Sequence, residues 1–233
     1  MHVATFVSTE SHPVHPAGTL LAMQKWIGVM ALVVVVACGP GGSSAAGPAD
    51  VSVQTSDLPK GLQKCDGSGD MDSFLTVVKT KDPSTYTSTK KEWDDAKSHG
   101  ATQAQVAFFA DSKDHCTSIQ NSGNGDLSTA TYPVVINFVI QFKDESAASK
   151  GYTTESIFGF SESTISTTGG AGVTKGTDTG LGKNSIALTI AIGNQSFYVA
   201  VWQNKNFMVI LGVLNVDLAQ SKKVATNENG RIK

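Results

Sequence analysis

The chain has 233 residues, 18 basic and 20 acidic side chains, a formal charge of -2 and 40% hydrophobic residues, enough to bury one core of ordinary size. Its single arginine, Arg231, and its lysines interspersed among Asp and Glu make no basic stripe able to grip a phosphate backbone, which argues against nucleic-acid binding.

Residues 1–22 are polar, with His2, His12, Pro13 and His15. The pattern changes at Met23. Lys25 precedes an apolar run from Ile27 to Ala37, which ends on Cys38 and is followed by Gly39, Pro40, Gly41 and Gly42. A basic flank, an apolar block and a small residue before a processing point follow the order of an exported, cleaved signal. The run is too short to cross hydrocarbon roughly 30 Å thick, which takes about 20 apolar residues as a helix. Val35, Val36, Ala37 and Cys38 together resemble the lipobox of bacterial lipoproteins. That resemblance implies cleavage before Cys38, a diacylglycerol thioether on its sulfur and a further acyl chain such as palmitate on the new amino terminus. Two or more acyl chains make a stable anchor where one does not. The chain then divides into a signal peptide, 1–37, with translation starting at Met23; a lipidated Gly/Ser/Pro-rich tether, 38–50; and one extracytoplasmic domain, 51–233. It would sit at the cell membrane on the outer side, with electrostatic docking to anionic lipid adding little to the acyl chains.

With Cys38 acylated, Cys65 and Cys116 remain, and an oxidising exterior predicts a disulfide between them. A metal site using His115 and Cys116 is disfavoured, because adjacent residues do not turn easily toward one ion and no C-x-x-C or His-x-x-x-His partner exists.

Within the domain, Asp66 to Ser73 places oxygen ligands at alternating positions. An EF-hand loop would need Gly at Met71 and Glu at Val77, so a Gly-rich turn is expected, with Asp72 or Ser73 capping a short helical turn through Phe74, Leu75 and Val78. Asp82 and Pro83 open a helix that Gly100 closes, with Tyr86, Thr89, Trp93 and Ala96 on its docking face and His99 as a cation at its end. Residues 103–110 read as a strand. So do residues 132–142, with Val134, Ile136, Phe138, Ile140 and Phe142 on one face and a partly wet face at Asn137 and Gln141. A helix from Asp144 toward Phe158 follows, then a polar stretch, Ser161 to Lys183, that reads as a mobile loop. Strands at 185–192, 196–203 and 206–214 form an antiparallel meander. The last of these is apolar on both faces and so asks for cover on both. Asp217 caps a final helix to about Asn229, with Leu218 and Val224 inward. The fold class is α+β: an antiparallel sheet of about five or six strands, ending in the three-strand meander, with about three helices packed on it.

Catalytic patterns are sparse. Ser88 and Lys91 match the Ser-x-x-Lys of penicillin-binding proteins, but the accompanying Ser-Asp-Asn and Lys-Thr-Gly elements are missing. His99 and His115 lack an evident acidic partner, and Asp94 and Asp95 point apart on a helix. Gly169 to Val173 lies among turn formers rather than between a strand and a helix, which argues against a phosphate cradle. The aromatic residues Phe108, Phe109, Phe138, Phe142, Phe158, Phe160, Tyr198 and Trp202 would be the lining of an apolar pocket. The sequence thus predicts a monomeric, non-enzymatic lipoprotein without metal or cofactor, which binds or scaffolds in the cell envelope and contacts the membrane through Cys38. The alternatives are a carrier of an apolar small molecule or lipid and, after that, a hydrolase using Ser88.

Overall fold

Alternating β-branched and aromatic side chains make Val134–Phe142 the strongest strand former, and the computed structural model builds one antiparallel sheet around it. The structure describes residues 46–121, 130–154, 160–168 and 170–233, all in one unit, Ser43–Lys233. Among the described residues the helices are Pro48–Val51 (α1), Met71–Lys81 (α2), Pro83–Ser98 (α3), Lys113–Asn121 (α4), Glu145–Thr154 (α5), Glu162–Thr168 (α6) and Leu218–Gly230 (α7). The strands are Gln63–Lys64 (β1), Gly69–Asp70 (β2), Ala101–Ala110 (β3), Val134–Phe142 (β4), Val173–Lys175 (β5), Ser185–Ile192 (β6), Gln195–Asn204 (β7) and Phe207–Leu214 (β8). Their order across the sheet is β1-β3-β4-β8-β7-β6-β5, with β2 also on β3, and every pairing is antiparallel.

The fold is therefore α+β with an antiparallel sheet, as the periodicity predicts. It has eight strands rather than five or six and seven helices rather than three among the described residues. The additions are short: β1 and β2 have two residues each, β5 has three and α1 four. The predicted meander is β6-β7-β8, turning through Gly193 at φ +60° and Lys205 at φ +49°.

Two cores lie on opposite faces of the sheet. Val134, Ile136, Phe138, Ile140 and Phe142 point toward α2 to α6, where Phe74, Trp93, Ile119, Ala148 and Ile165 cover them. Val135, Val139, Tyr198, Trp202, Val209 and Leu211 point the other way, under α7 and the segment from α1 to Leu62. This second layer corrects the partly wet face. Asn137 is fully buried, because the first and last segments of the domain close over it. All eight residues of β8 are buried, as a strand covered on both sides requires.

Other boundaries also move. The tether read as 38–50 is shorter, since Ala46 packs on the second core, Pro48 starts α1 and Val51 is completely buried. Asp70, not Asp72 or Ser73, caps α2, accepting from Ser73 N at 2.9 Å, and the helix runs 11 residues rather than one turn. The stretch 161–183 is not a loop throughout: it contains α6, β5 and two 3-10 turns. Leu218 is 37% exposed rather than inward, whereas Val224 is buried.

Cys65 and Cys116, 51 positions apart in sequence, form a disulfide with Cα atoms 5.4 Å apart. It fastens the segment after β1 to α4. Closing a loop of that length stabilises by about 4 kcal/mol in the chain-entropy account.

Candidate functional site

The most unusual chemistry lies where the start and end of the domain meet on β4. Asn137 Oδ1 accepts from Ser52 Oγ at 2.7 Å and from the Val53 amide at 3.0 Å. Its Nδ2 donates to Glu228 Oε1 at 2.8 Å and to the Ile210 carbonyl at 3.3 Å. All four of its hydrogen-bonding valences are thereby used. Glu228, on α7, has no exposure to solvent. Burial raises its pKa well above the usual carboxylate range and nearby Asp57 adds to this, while the Asn137 hydrogen bond and Arg231 oppose it.

Arg231, the one arginine, is the second half of this cluster. Its Nε donates to the Val51 carbonyl at 3.0 Å, one terminal nitrogen donates to the Ser52 carbonyl at 3.0 Å, and the fork also meets both Asp57 oxygens, at 3.1 and 2.9 Å. Asn227 Nδ2 adds a hydrogen bond to Asp57 Oδ1 at 3.3 Å. The planar guanidinium thus locks the first helix of the domain to the last. Glu228, enclosed by this lock, has no exposure to solvent, and the cluster fastens the two ends of the domain together. Beside it, Tyr198 OH, Trp202 Nε1 and Glu228 Oε2 have no partner among the described residues, and burial pushes the Tyr198 phenol up to about 12.

The predicted site residues are dispersed. Cys38 and Phe158 lie outside the described residues. The Ser88 hydroxyl donates to the Ser84 and Thr85 carbonyls of its own helix, and Lys91 pairs with Asp95 at 2.8 Å, so serine and lysine are each engaged elsewhere. Asp94 is held between Lys90 and Lys97. His115 stacks on Tyr132, with centroids 3.6 Å apart, and contrary to the sequence expectation it has an acidic partner, since its Nδ1 contacts Asp111. His99 is the C-cap residue of α3, at the opposite end of β3 from Asp111. At the glycine run, the order is helix, 3-10 turn and strand, the reverse of a phosphate cradle. Gly172 is there for space, since a Cβ on it would lie 2.3 Å from the Thr189 carbonyl oxygen.

The aromatic set divides between the faces. Phe108, Phe138 and Phe142 belong to one core, with Phe160 against it, while Phe109, Tyr198 and Trp202 belong to the other. No single cavity collects them. Phe108 and Phe109 are adjacent in β3, so strand alternation alone sends them to opposite faces, a signal present in the sequence. What remains on the helix-covered face is a half-buried apolar corner of Val173, Ile190, Phe197 and Val199. Three open grooves of about 350 to 480 Å³ have mixed linings. They lie between α1 and the free edge of β3, between α2 and α3, and between residues 59–62 and 215–220.

Comparison with known proteins finds no family model and no curated protein that matches the chain. The extracellular domain of PknH from Mycobacterium tuberculosis is similar in structure, with a TM-score of 0.48 and 12% sequence identity over 82% of this chain and 98% of that one. A likeness of that size carries nothing about activity or ligand.

Proposed function

We propose that the chain is a lipid-anchored extracytoplasmic protein whose folded domain binds or scaffolds within the cell envelope and performs no catalysis. The observation that carries this reading is the Cys65–Cys116 disulfide, because a structural bridge persists where thiols are not kept reduced. Of the three cysteines in the sequence it leaves Cys38, at the end of the apolar run, outside the bridge. α1 starts at Pro48, so about ten residues of chain run from Cys38 to it, a reach of at most about 35 Å. A protein held that near the bilayer acts on what lies beside it. The dispersal of Ser88, His99 and His115 supports binding over hydrolysis, and the division of the aromatic residues supports scaffolding over carriage of an apolar ligand.

Metabolic labelling with an alkyne analogue of palmitate, followed by detergent phase partition, tests the anchor. The wild-type protein is expected to be labelled and to enter the detergent phase. Cys38→Ala is expected to be unlabelled and to stay in water. Wild-type protein found unlabelled in the aqueous phase would refute the proposal.

A further inference from the structure

We propose that the face bearing α7 is the membrane-facing side of the domain, and that its unpaired lysines rest on anionic phospholipid headgroups of the bilayer. This rests on the lipid-anchor reading above and adds an orientation to it.

Three observations converge on that face. The first is where the tether arrives. Ala46 and Val51 pack on the core that lies beneath α7, and Arg231, one residue past α7, grips the Val51 and Ser52 carbonyls. The chain therefore enters the domain at the β3 edge of the sheet, packing on the core beneath α7 while Gly47, Pro48 and Ala49 also border a groove with Met71 and Trp93 of the other layer.

The second is charge. The outward residues of α7 include Lys222, Lys223, Thr226 and Asn227, with no acid among them, since Glu228 is turned inward. The loops carrying Lys183 and Lys205 adjoin the same helix: Asn229 bonds to the Leu181 carbonyl and to Asn204. With Lys233 these make five exposed lysines, and none has an ion pair among the described residues. The acids on this side include Asp57, which faces Arg231; Asp217, which caps α7; Asp50, which accepts from the Gly47 amide; and exposed Asp178, on the turn beside Thr226 of α7. In the opposite layer Lys90, Lys91, Lys97 and Lys175 each meet an aspartate or glutamate, while Lys113 and Lys150 have no ion pair among the described residues. The fold thus gathers uncompensated cations on the tether side of a chain whose formal charge is -2.

The third is Leu218, the one large hydrophobic side chain exposed among the described residues, at the first turn of α7. A helix face with lysines and an apolar residue suits a headgroup boundary. Each lysine alone attracts an anionic surface weakly and only within a Debye length, about 8 Å at physiological salt. The acyl tether makes that encounter intramolecular, so weak contacts suffice to set orientation.

The test uses the full acylated protein on vesicles of phosphatidylcholine alone or with about one-third phosphatidylglycerol, with lysine acetylation rates read by mass spectrometry. On the anionic vesicles Lys222 and Lys223 are expected to react about threefold more slowly than on neutral ones, and Lys90 and Lys91 at the same rate on both; roughly 0.5 M salt should erase the difference. The double variant Lys222→Glu/Lys223→Glu, whose changes are exposed, should float with both vesicles yet lose the protection at Lys205 and Lys233. Flotation with equal lysine rates on both vesicles overturns the orientation alone. Failure to float with either overturns the anchor and the orientation together.

Discussion

Asn137 and Glu228 show what one buried polar pair demands of a fold. A carboxyl with no solvent exposure is favoured in its protonated form, and the amide of Asn137, which donates to it, opposes this only in part. Because its folded-state pKa lies above the ordinary value of about 4.3, the folded state keeps a proton that the unfolded chain releases, so this group's contribution to stability is lost as pH rises above that value. Glu228→Gln keeps the acceptor for Asn137 without a charge to bury. Between pH 5 and pH 8 the urea midpoint of the wild type is expected to fall and that of the variant to fall less; parallel curves would show that Glu228 is ionised in the fold. The burial of Asn137 was not legible in its own strand, where a polar residue on an alternating face reads as wet. The residues that cover it, Ser52 and Glu228, lie 85 and 91 positions away.

The elements that could be read were those with local causes. Asp82 and Pro83 start α3 because a carboxylate accepts from the Ser84 and Thr85 amides and proline fits the first turn, all within four residues. Val134 to Phe142 announces itself by a period of two. By contrast, β5 owes its existence to a partner. Val173, Thr174 and Lys175 are a strand only because Leu188, Ala187 and Ile186 offer them an edge, and three polar-flanked residues carry no such signal alone. The closeness of that pairing gives a test with an internal control. Gly172→Ala drives a Cβ to 2.3 Å from the Thr189 carbonyl and is expected to cost about 2 kcal/mol or more. Gly212→Ala, in the middle of β8, meets nothing nearer than 4.0 Å, and its effect should stay within about 1 kcal/mol. Thermal unfolding of the two variants compares them directly, and equal losses would contradict the packing described.

At the scale of the molecule, the sheet is a partition between two cores, and each needs its own cover. Removing residues 217–233 would bare Tyr198, Trp202, Val209 and Leu211, at about 1.5–3 kcal/mol for each large side chain, comparable to the 5–15 kcal/mol margin of an ordinary domain. The truncated protein is expected to show no cooperative unfolding transition by circular dichroism, and a sharp transition would mean the helix-covered core suffices. The gathering of Lys183, Lys205, Lys222, Lys223 and Lys233 also belongs to this scale. In sequence they are scattered over 51 positions, and only the approach of three separate segments makes them one surface.

The ends of the sheet have a further consequence. β1 and β2 cover β3 at 109–110 and 105–106, and β5 covers β6 at 186–188, so the longest uncovered stretch on each rim runs only over 101–104 and 189–192. Molecules confined to a surface meet one another far more often than in solution, and a long bare rim would let neighbours zip together into fibres. On the membrane proposed above, such stubby borders would let many copies share a crowded patch without polymerising.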